Sequence, residues 1–163
     1  MCGAELGLEE VEDLPNEVRQ DPIWEQSGHT DVGRDGCRVP LPWSGDAAPL
    51  GFSTNPDATT WLPQPQHWAS RTAAAQDQDP GSTLNLYRQA LAVRATTWVG
   101  AGELEWIPTA PKVAAFRRGD AQCWVNTGEK PVELPTDATV VLASIPGTAG
   151  QLPPDAAAWL VTD

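Results

Sequence analysis

The amino-acid sequence predicts an α+β chain: a loop-dominated N-terminal half, then one amphipathic helix, then an antiparallel β-sandwich or small barrel. Three observations predict it. Residues 1–78 are rich in proline, glycine and aspartate and keep neither a 3.6- nor a 2-residue period. Leu84, Tyr87 and Leu91, with Ala90, Val93 and Arg94, then recur at helical spacing. From Gly102 onward, short alternating segments are separated by turn residues.

Within the first stretch the absence of a period predicts long loops with short helical pieces. Structureless loops beyond about 15 residues are generally functional or disordered. Trp24, Trp43, Trp61 and Trp68 are spread through this one, and disordered chains lack large aromatics, so these loops are expected to pack. The segment Gly33-Arg34-Asp35-Gly36-Cys37-Arg38-Val39-Pro40-Leu41-Pro42-Trp43 is the most informative part. Pro40 and Pro42 fix their own φ and push the residues before them to extended geometry, giving Arg34 and Arg38 a stiff support. Arginine grips carboxylates in a bidentate fork, so two arginines beside Asp35 read as a placed polar network.

Asp79-Pro80-Gly81-Ser82 reads as a helix entry with Ser82 at the N-cap, and the helix is expected over about 82–95 with an apolar face made by Leu84, Leu86, Leu91 and Val93. Strands are expected at Glu103 to Ile107, Lys112 to Arg117, Gln122 to Asn126, Val132 to Leu134, Thr139 to Ala143 and Ala157 to Val161. Pro108, Gly119, Thr127-Gly128, Pro135 and a Gly/Pro-rich loop from Pro146 to Pro154 separate them.

Composition narrows the function classes. A formal net charge of -12 argues against a nucleic-acid backbone or an anionic membrane surface as partner, because both would repel the chain. No apolar run approaches the roughly 20 residues of a membrane span, and the N-terminal residues are acidic where a signal peptide needs basic ones; a cytoplasmic location is expected. Cys2, Cys37 and Cys123 are widely spaced and only His29 and His67 could add imidazoles, so neither a metal site nor a disulfide framework is expected. The sequence holds no Gly-x-Ser-x-Gly elbow and no phosphate-cradling glycine loop, and no cofactor is expected. Asp31 and Asp35 lie near a tryptophan, yet nothing in the sequence raises the pKa of either as an acid/base pair would require.

The segment Gly33 to Trp43 resembles the Arg-Asp-x-x-Arg-x-Pro-x-x-Trp signature of the α-glucosidase and oligo-1,6-glucosidase branch of the α-amylase family of glycoside hydrolases. Gly3-Ala4-Glu5-Leu6-Gly7-Leu8 resembles the motif that closes that family's eighth barrel strand. Gly51-Phe52-Ser53, Trp61-Leu62-Pro63, the helix around Leu86-Tyr87-Arg88 and the end from Leu152 to Trp159 extend the likeness through almost the whole chain. It departs at Met1, Cys2 and Ala4, where relatives commonly carry tyrosine, glutamine and an acidic residue.

The resemblance implies that residues 1–101 form the C-terminal end of a (β/α) barrel, its active-site loops and last helix, and that residues 102–163 form the following antiparallel β domain. A whole barrel takes about 250 residues, so this chain is too short for one. The family's nucleophile, general acid and third carboxylate lie on earlier strands, and no catalytic residue is carried over. The chain is then expected to be inactive alone, with the missing barrel portion as a possible partner and an α-glucosidic oligosaccharide as the complete enzyme's ligand. Linkage preference, α-1,4 against α-1,6, is not legible.

By the same resemblance Arg34 would reach the glucosyl subsite, Arg38 would border the leaving-group subsite, and Glu5, Asp35 and Trp43 would support the loops. The duller alternative is that both arginines only pin the loop, Arg38 to Asp35 or to backbone carbonyls. A second class of reading comes from the tryptophans: Trp98, Trp106, Trp124 and Trp159 could make the β domain a carbohydrate-binding module, although aromatics spaced along strands commonly serve as core. A third is a remnant, or a subunit completing a separately encoded barrel.

Overall fold

The computed structural model describes residues 3–98, 100 and 102–162. These divide into two compact units, Met1–Asn85 and Leu86–Asp163. Met1, Cys2 and the expected boundary at Ala101 lie outside the described residues.

The first unit is built from turns. Its pieces are 3₁₀ turns at Ala4–Leu6, Asn16–Val18, Asp35–Cys37 and Gln66–Arg71, helix α1 at Pro22–Gln26 and helix α2 at Ala73–Asp77. Both helices start on side-chain caps. Asp21 accepts from Ile23 N at 3.2 Å with Pro22 following it, and Thr72 accepts from Ala75 N at 3.2 Å. Leu6, Leu8, Val11, Leu14, Val39, Leu50, Leu62 and Trp68 form one buried cluster at the centre of these loops.

With no strand ladder among the described residues of this unit, buried side chains hold the backbone groups. Gln76 is the main example. Its Nε2 donates to Leu6 O at 2.8 Å and Arg71 O at 3.0 Å, and its Oε1 accepts from Leu84 N at 3.0 Å. Gly36 is required by close approach: a Cβ there would stand 2.4 Å from the Val11 carbonyl oxygen, whose residue also bonds Gly36 O through its N–H at 3.1 Å.

Helix α3 spans Thr83–Thr97. Ser82 Oγ accepts from Asn85 N at 3.2 Å, so the expected N-cap is in place and the helix runs two residues beyond the expected end at Ala95. Its apolar face differs from the expected one. Leu91 is 60 % exposed, whereas Leu86 and Ala90 line a small cavity with Leu142, Ala143 and Trp159 of the second unit. The physical reason is angular: Leu86, Ala90 and Val93 follow i, i+4, i+7, and the Leu84–Leu91 stripe lies rotated away from them.

The second unit has strands β1 Glu105–Ile107, β2 Val113–Arg118, β3 Ala121–Asn126, β4 Val132–Glu133, β5 Ala138–Ala143, β6 Gln151–Leu152 and β7 Ala156–Thr162. An antiparallel five-stranded sheet runs β1-β2-β3-β7-β5, and β4 pairs with β6 separately. Strand β6 falls inside the stretch expected to be loop; two residues beside Pro153 leave no alternation to read.

Strand alternation sends two rows of side chains to opposite faces. In one row Ala115 faces Trp124, which faces Ala158; these pack with Leu134, Leu152 and Leu160 into the core that β4 and β6 cover. The small alanines on both sides leave room for the Trp124 indole. In the other row Trp106, Phe116, Cys123, Trp159 and Leu142 stand side by side across all five strands. Asn126 closes the core at one end, almost fully buried, donating to Lys130 O at 2.9 Å, Leu152 O at 3.1 Å and Pro153 O at 3.0 Å. Among the described residues no helix is long and apolar enough to cross a membrane.

Candidate functional site

The arginine-bearing loop is organised by two buried carboxylates. Asp35 is fully buried, and its Oδ2 accepts from Gln20 N at 2.5 Å and Asp21 N at 2.9 Å. Its Oδ1 is buried without a partner among the described residues. Asp21, fixed through its own backbone in this way, takes Ile23 N on Oδ1 and places Oδ2 3.1 Å from Arg34 N and 3.0 Å from Arg38 Nη1. The Arg34 Nε stands farther off, at 3.8 Å.

The N–H groups of Ile23 and Arg34, and then the Arg38 and Arg34 guanidiniums, hold the Asp21 carboxyl below its ordinary pKa against the opposing effect of burial. Since the folded value lies below the unfolded one, this contribution is present above the usual aspartate range and is lost only on acidification. Gly33, at φ +65°, has to be glycine, because a Cβ would lie 2.6 Å from Ile23 and 2.7 Å from Asp21.

Arg38 therefore does not pair with Asp35, as one reading of the sequence had it, but with Asp21. Asp35 takes backbone amides on Oδ2 alone, and no guanidinium among the described residues reaches its buried Oδ1. The two arginines end up in different states: the Arg38 side chain is 36 % exposed and hydrogen-bonded to Asp21, while that of Arg34 is 75 % exposed and holds only a long ion pair to the same carboxylate. Trp43 is fixed through its main chain, N donating to Leu50 O at 2.7 Å and O accepting from Ala74 N at 2.9 Å, and its ring is half exposed. Phe52 and Trp61 are half exposed as well. Glu5 is exposed on the turn Ala4–Leu6. Cys37 donates to Arg34 O at 3.2 Å. Among the described residues no cluster of histidine, cysteine, aspartate and glutamate is arranged to hold a metal ion.

Sequence reasoning missed Asp21, although an aspartate directly before a proline at a helix start is a readable cap signal. It also missed Glu9, whose carboxylate is gripped by His67 Nε2, by Trp68 Nε1 at 3.2 Å and by Arg71 Nη1 at 3.4 Å. Glu9 and His67 border a groove of about 410 Å³ together with Glu10, Asp13 and Gln64. The hydrogen bonds from His67 and from the residue's own N–H, and then Trp68 and Arg71, pull the Glu9 pKa down to about 2 against the opposing effect of burial.

A depressed carboxylate stabilises the fold fully above its unfolded value, near pH 4.5, and loses that contribution as the pH falls towards 2. With 44 % of its side chain exposed, Glu9 is screened, and the expected contribution is about 1 kcal/mol or less. Thermal melts of Glu9→Gln from pH 5 downward should therefore decline less steeply than those of the parent; parallel declines would remove this role.

The four candidate sugar-stacking tryptophans do not act together. Trp124 is a core residue, 9 % exposed, its Nε1 donating to Gln122 Oε1 at 2.9 Å, and it offers no face to a ligand. Trp98, Trp106 and Trp159 are joined through ring contacts that include Phe116. Cys123 is buried on the same face of the sheet, and burial pushes its thiol pKa up.

The family model described as alpha amylase, catalytic domain, matches residues 2–102, more than half of the chain. The chain is 41 % identical over 117 residues to a "probable alpha-glucosidase" of Rhizobium meliloti (strain 1021), covering 71 % of this chain and 20 % of that protein. It is 34 % identical over 88 residues to a glucan 1,6-alpha-glucosidase of Streptococcus dysgalactiae subsp. equisimilis, covering 53 % of this chain and 16 % of that one. It spans a fifth or less of both relatives.

The crystal structure of the alpha-glucosyl transfer enzyme XgtA superposes with a TM-score of 0.77 at 30 % identity, over 99 % of this chain and 32 % of that one. A trehalulose synthase structure superposes equally well at 20 % identity, over 99 % of this chain and 35 % of its own, a likeness of fold alone. The two-part arrangement of loops and helices followed by an antiparallel sheet is thus that of one portion of these enzymes, and the chain belongs to the α-amylase family of glycoside hydrolases.

Proposed function

We propose that these residues work within a retaining α-glucosidase acting on short α-glucosides of the maltose or isomaltose type. Residues 1–101 contribute the end of its barrel and residues 102–163 the β domain that follows. Arg34 contacts the glucosyl ring being transferred, Arg38 borders the leaving-group subsite, and Glu5, Asp35 and Trp43 support the loops.

One observation carries this reading: Asp21 fixes the Arg34 backbone and ties down Arg38, yet leaves the Arg34 guanidinium exposed. A guanidinium held at its root keeps five N–H donors for a ligand and stays charged, so it can bridge a sugar hydroxyl and a carboxylate without reorganising. Retaining hydrolysis also needs two carboxyl groups about 5 Å apart, one attacking the anomeric carbon and one protonating the leaving oxygen. In this reading they come from the rest of the enzyme, and the 163-residue chain alone turns over no glucoside.

The experiment is Arg34→Ala in the complete enzyme, assayed on maltose and isomaltose. The expected result is kcat/KM lower by about 10²-fold, typical for loss of one preorganised donor, with Arg34→Lys recovering little because the fork is gone. Turnover at the parent's level would sink the reading.

A further inference from the structure

The second unit holds a cavity of about 240 Å³ walled by Trp98, Leu104, Phe116 and Trp159, with Arg94 and Arg118 at its side. The aromatic rings meet at a corner. Trp98 lies 5.8 Å from Phe116 at 50° and 5.7 Å from Trp159 at 71°, and Phe116 meets Trp106 edge-on at 5.8 Å. Trp106, Phe116 and Trp159 stand on the sheet face opposite the core that β4 and β6 cover, and Trp98, just past α3, meets them there.

The polar groups are ready for a ligand. Arg118 spends its Nε on Gly102 O at 2.7 Å, and neither terminal nitrogen bonds a described residue. The exposed Arg94 side chain makes no hydrogen bond or ion pair with any described residue. Trp98 Nε1 is buried without an acceptor among the described residues, so no hydrogen bond fixes the tilt of that indole.

We propose that this cavity binds one glucosyl ring of an α-glucoside. A pyranose has an apolar C–H face that stacks on an indole and a rim of hydroxyls that accept from guanidinium N–H groups. A purely apolar ligand would desolvate two arginines with nothing in return. A polyanion would meet a chain of net charge -12. The volume sets the size: drug-sized ligands occupy about 300–1,000 Å³, so this cavity takes a single ring and any further sugar projects into solvent. The choice of glucose among sugars rests on the α-glucosidase reading above.

The test uses the full chain, labelled at the indole nitrogens and titrated by NMR with methyl α-D-glucopyranoside and with maltose, sorbitol serving as the control. The expected result is saturable shifts of the Trp98 and Trp159 indole signals, half-complete on the order of 1 mM, as suits so small a ligand. Arg94→Ala, on an exposed helix position, should weaken binding about tenfold at an unchanged melting temperature, and Arg118→Ala should do likewise.

Arg34→Ala in the same chain should leave the Trp98 shift intact. No saturable shift well above that concentration, shifts confined to Trp43 or Trp61, or unchanged half-saturation in both Arg94→Ala and Arg118→Ala would overturn the site. Turnover of Arg34→Ala in the complete enzyme reads the α-glucosidase proposal independently, so either proposal can fail while the other stands.

Discussion

Replacing Asn126 by alanine should lower the stability of the second unit by about 4 kcal/mol. The two N–H groups of the Asn126 amide are shared among three carbonyls, those of Lys130, Leu152 and Pro153, and its Oδ1 accepts from Gly128 N at 2.9 Å. Alanine removes all of these bonds, and the buried Leu152 carbonyl is left an orphan, which costs about 1–3 kcal/mol, with smaller losses at the part-buried partners. Leu152 belongs to β6, which has only two residues paired to β4, so the loss also loosens the strands that cover Trp124 and Leu160. Denaturant unfolding followed by Trp124-weighted fluorescence would measure it. An Asn126→Ala midpoint within error of the parent would show that the carbonyls find other donors. Asn126→Asp at neutral pH should be as damaging, since its carboxylate keeps an acceptor for Gly128 and has no proton to give the carbonyls.

In the first unit the matching substitution is Gln76→Leu, which keeps the volume and removes the amide. Leu6 O loses its donor and Leu84 N its acceptor, both in buried or half-buried surroundings, with an expected cost of about 3 kcal/mol. Gln76→Glu separates the two ends of the amide. It keeps the acceptor for Leu84 N but turns the donor to Leu6 O and Arg71 O into a second acceptor, so it should be at least as costly at neutral pH. Hydrogen exchange at Leu84 N is the direct readout. Protection there should fall sharply in Gln76→Leu and hold in Gln76→Glu under acid; equal protection in all three proteins would assign the amide no structural part.

These two residues also mark what was legible in the sequence. Helix α3 was readable because its signals are local: Ser82 caps an N–H three residues on, and the apolar spacing recurs within a few turns. Most strands were readable from alternation between turn residues. Strand β6 was not, because two residues carry no period and its pairing with β4 depends on a partner about twenty residues away.

The site was half legible. The pair Arg34 and Arg38 on a proline-stiffened loop stood out, but their acceptor, Asp21, lies 13 and 17 residues upstream, with the nearer Asp35 as the plausible wrong choice. The deciding fact is that Asp35 is buried against backbone amides, and burial is a property of the fold. Glu9 and His67, 58 residues apart, offered no signal at all. The apolar stripe of α3 was misread at Leu91 because the helix carries two offset stripes, and packing takes up Leu84 on one and Leu86 and Ala90 on the other but leaves Leu91 exposed.

The first unit is held by a few side chains that clasp main-chain atoms, among them Asp21, Asp35, Gln64 and Gln76. Apart from the grip of Asp21 on the two arginines, what those side chains clasp is the backbone, which every amino acid shares, and so the clasps place little demand on the residues between them that face outward. Val32, Phe52 and Trp61 are such positions, each about half exposed. In a lineage of enzymes this separates inheritance of shape from inheritance of surface: the outward positions can diversify one substitution at a time while the clasps stay unchanged.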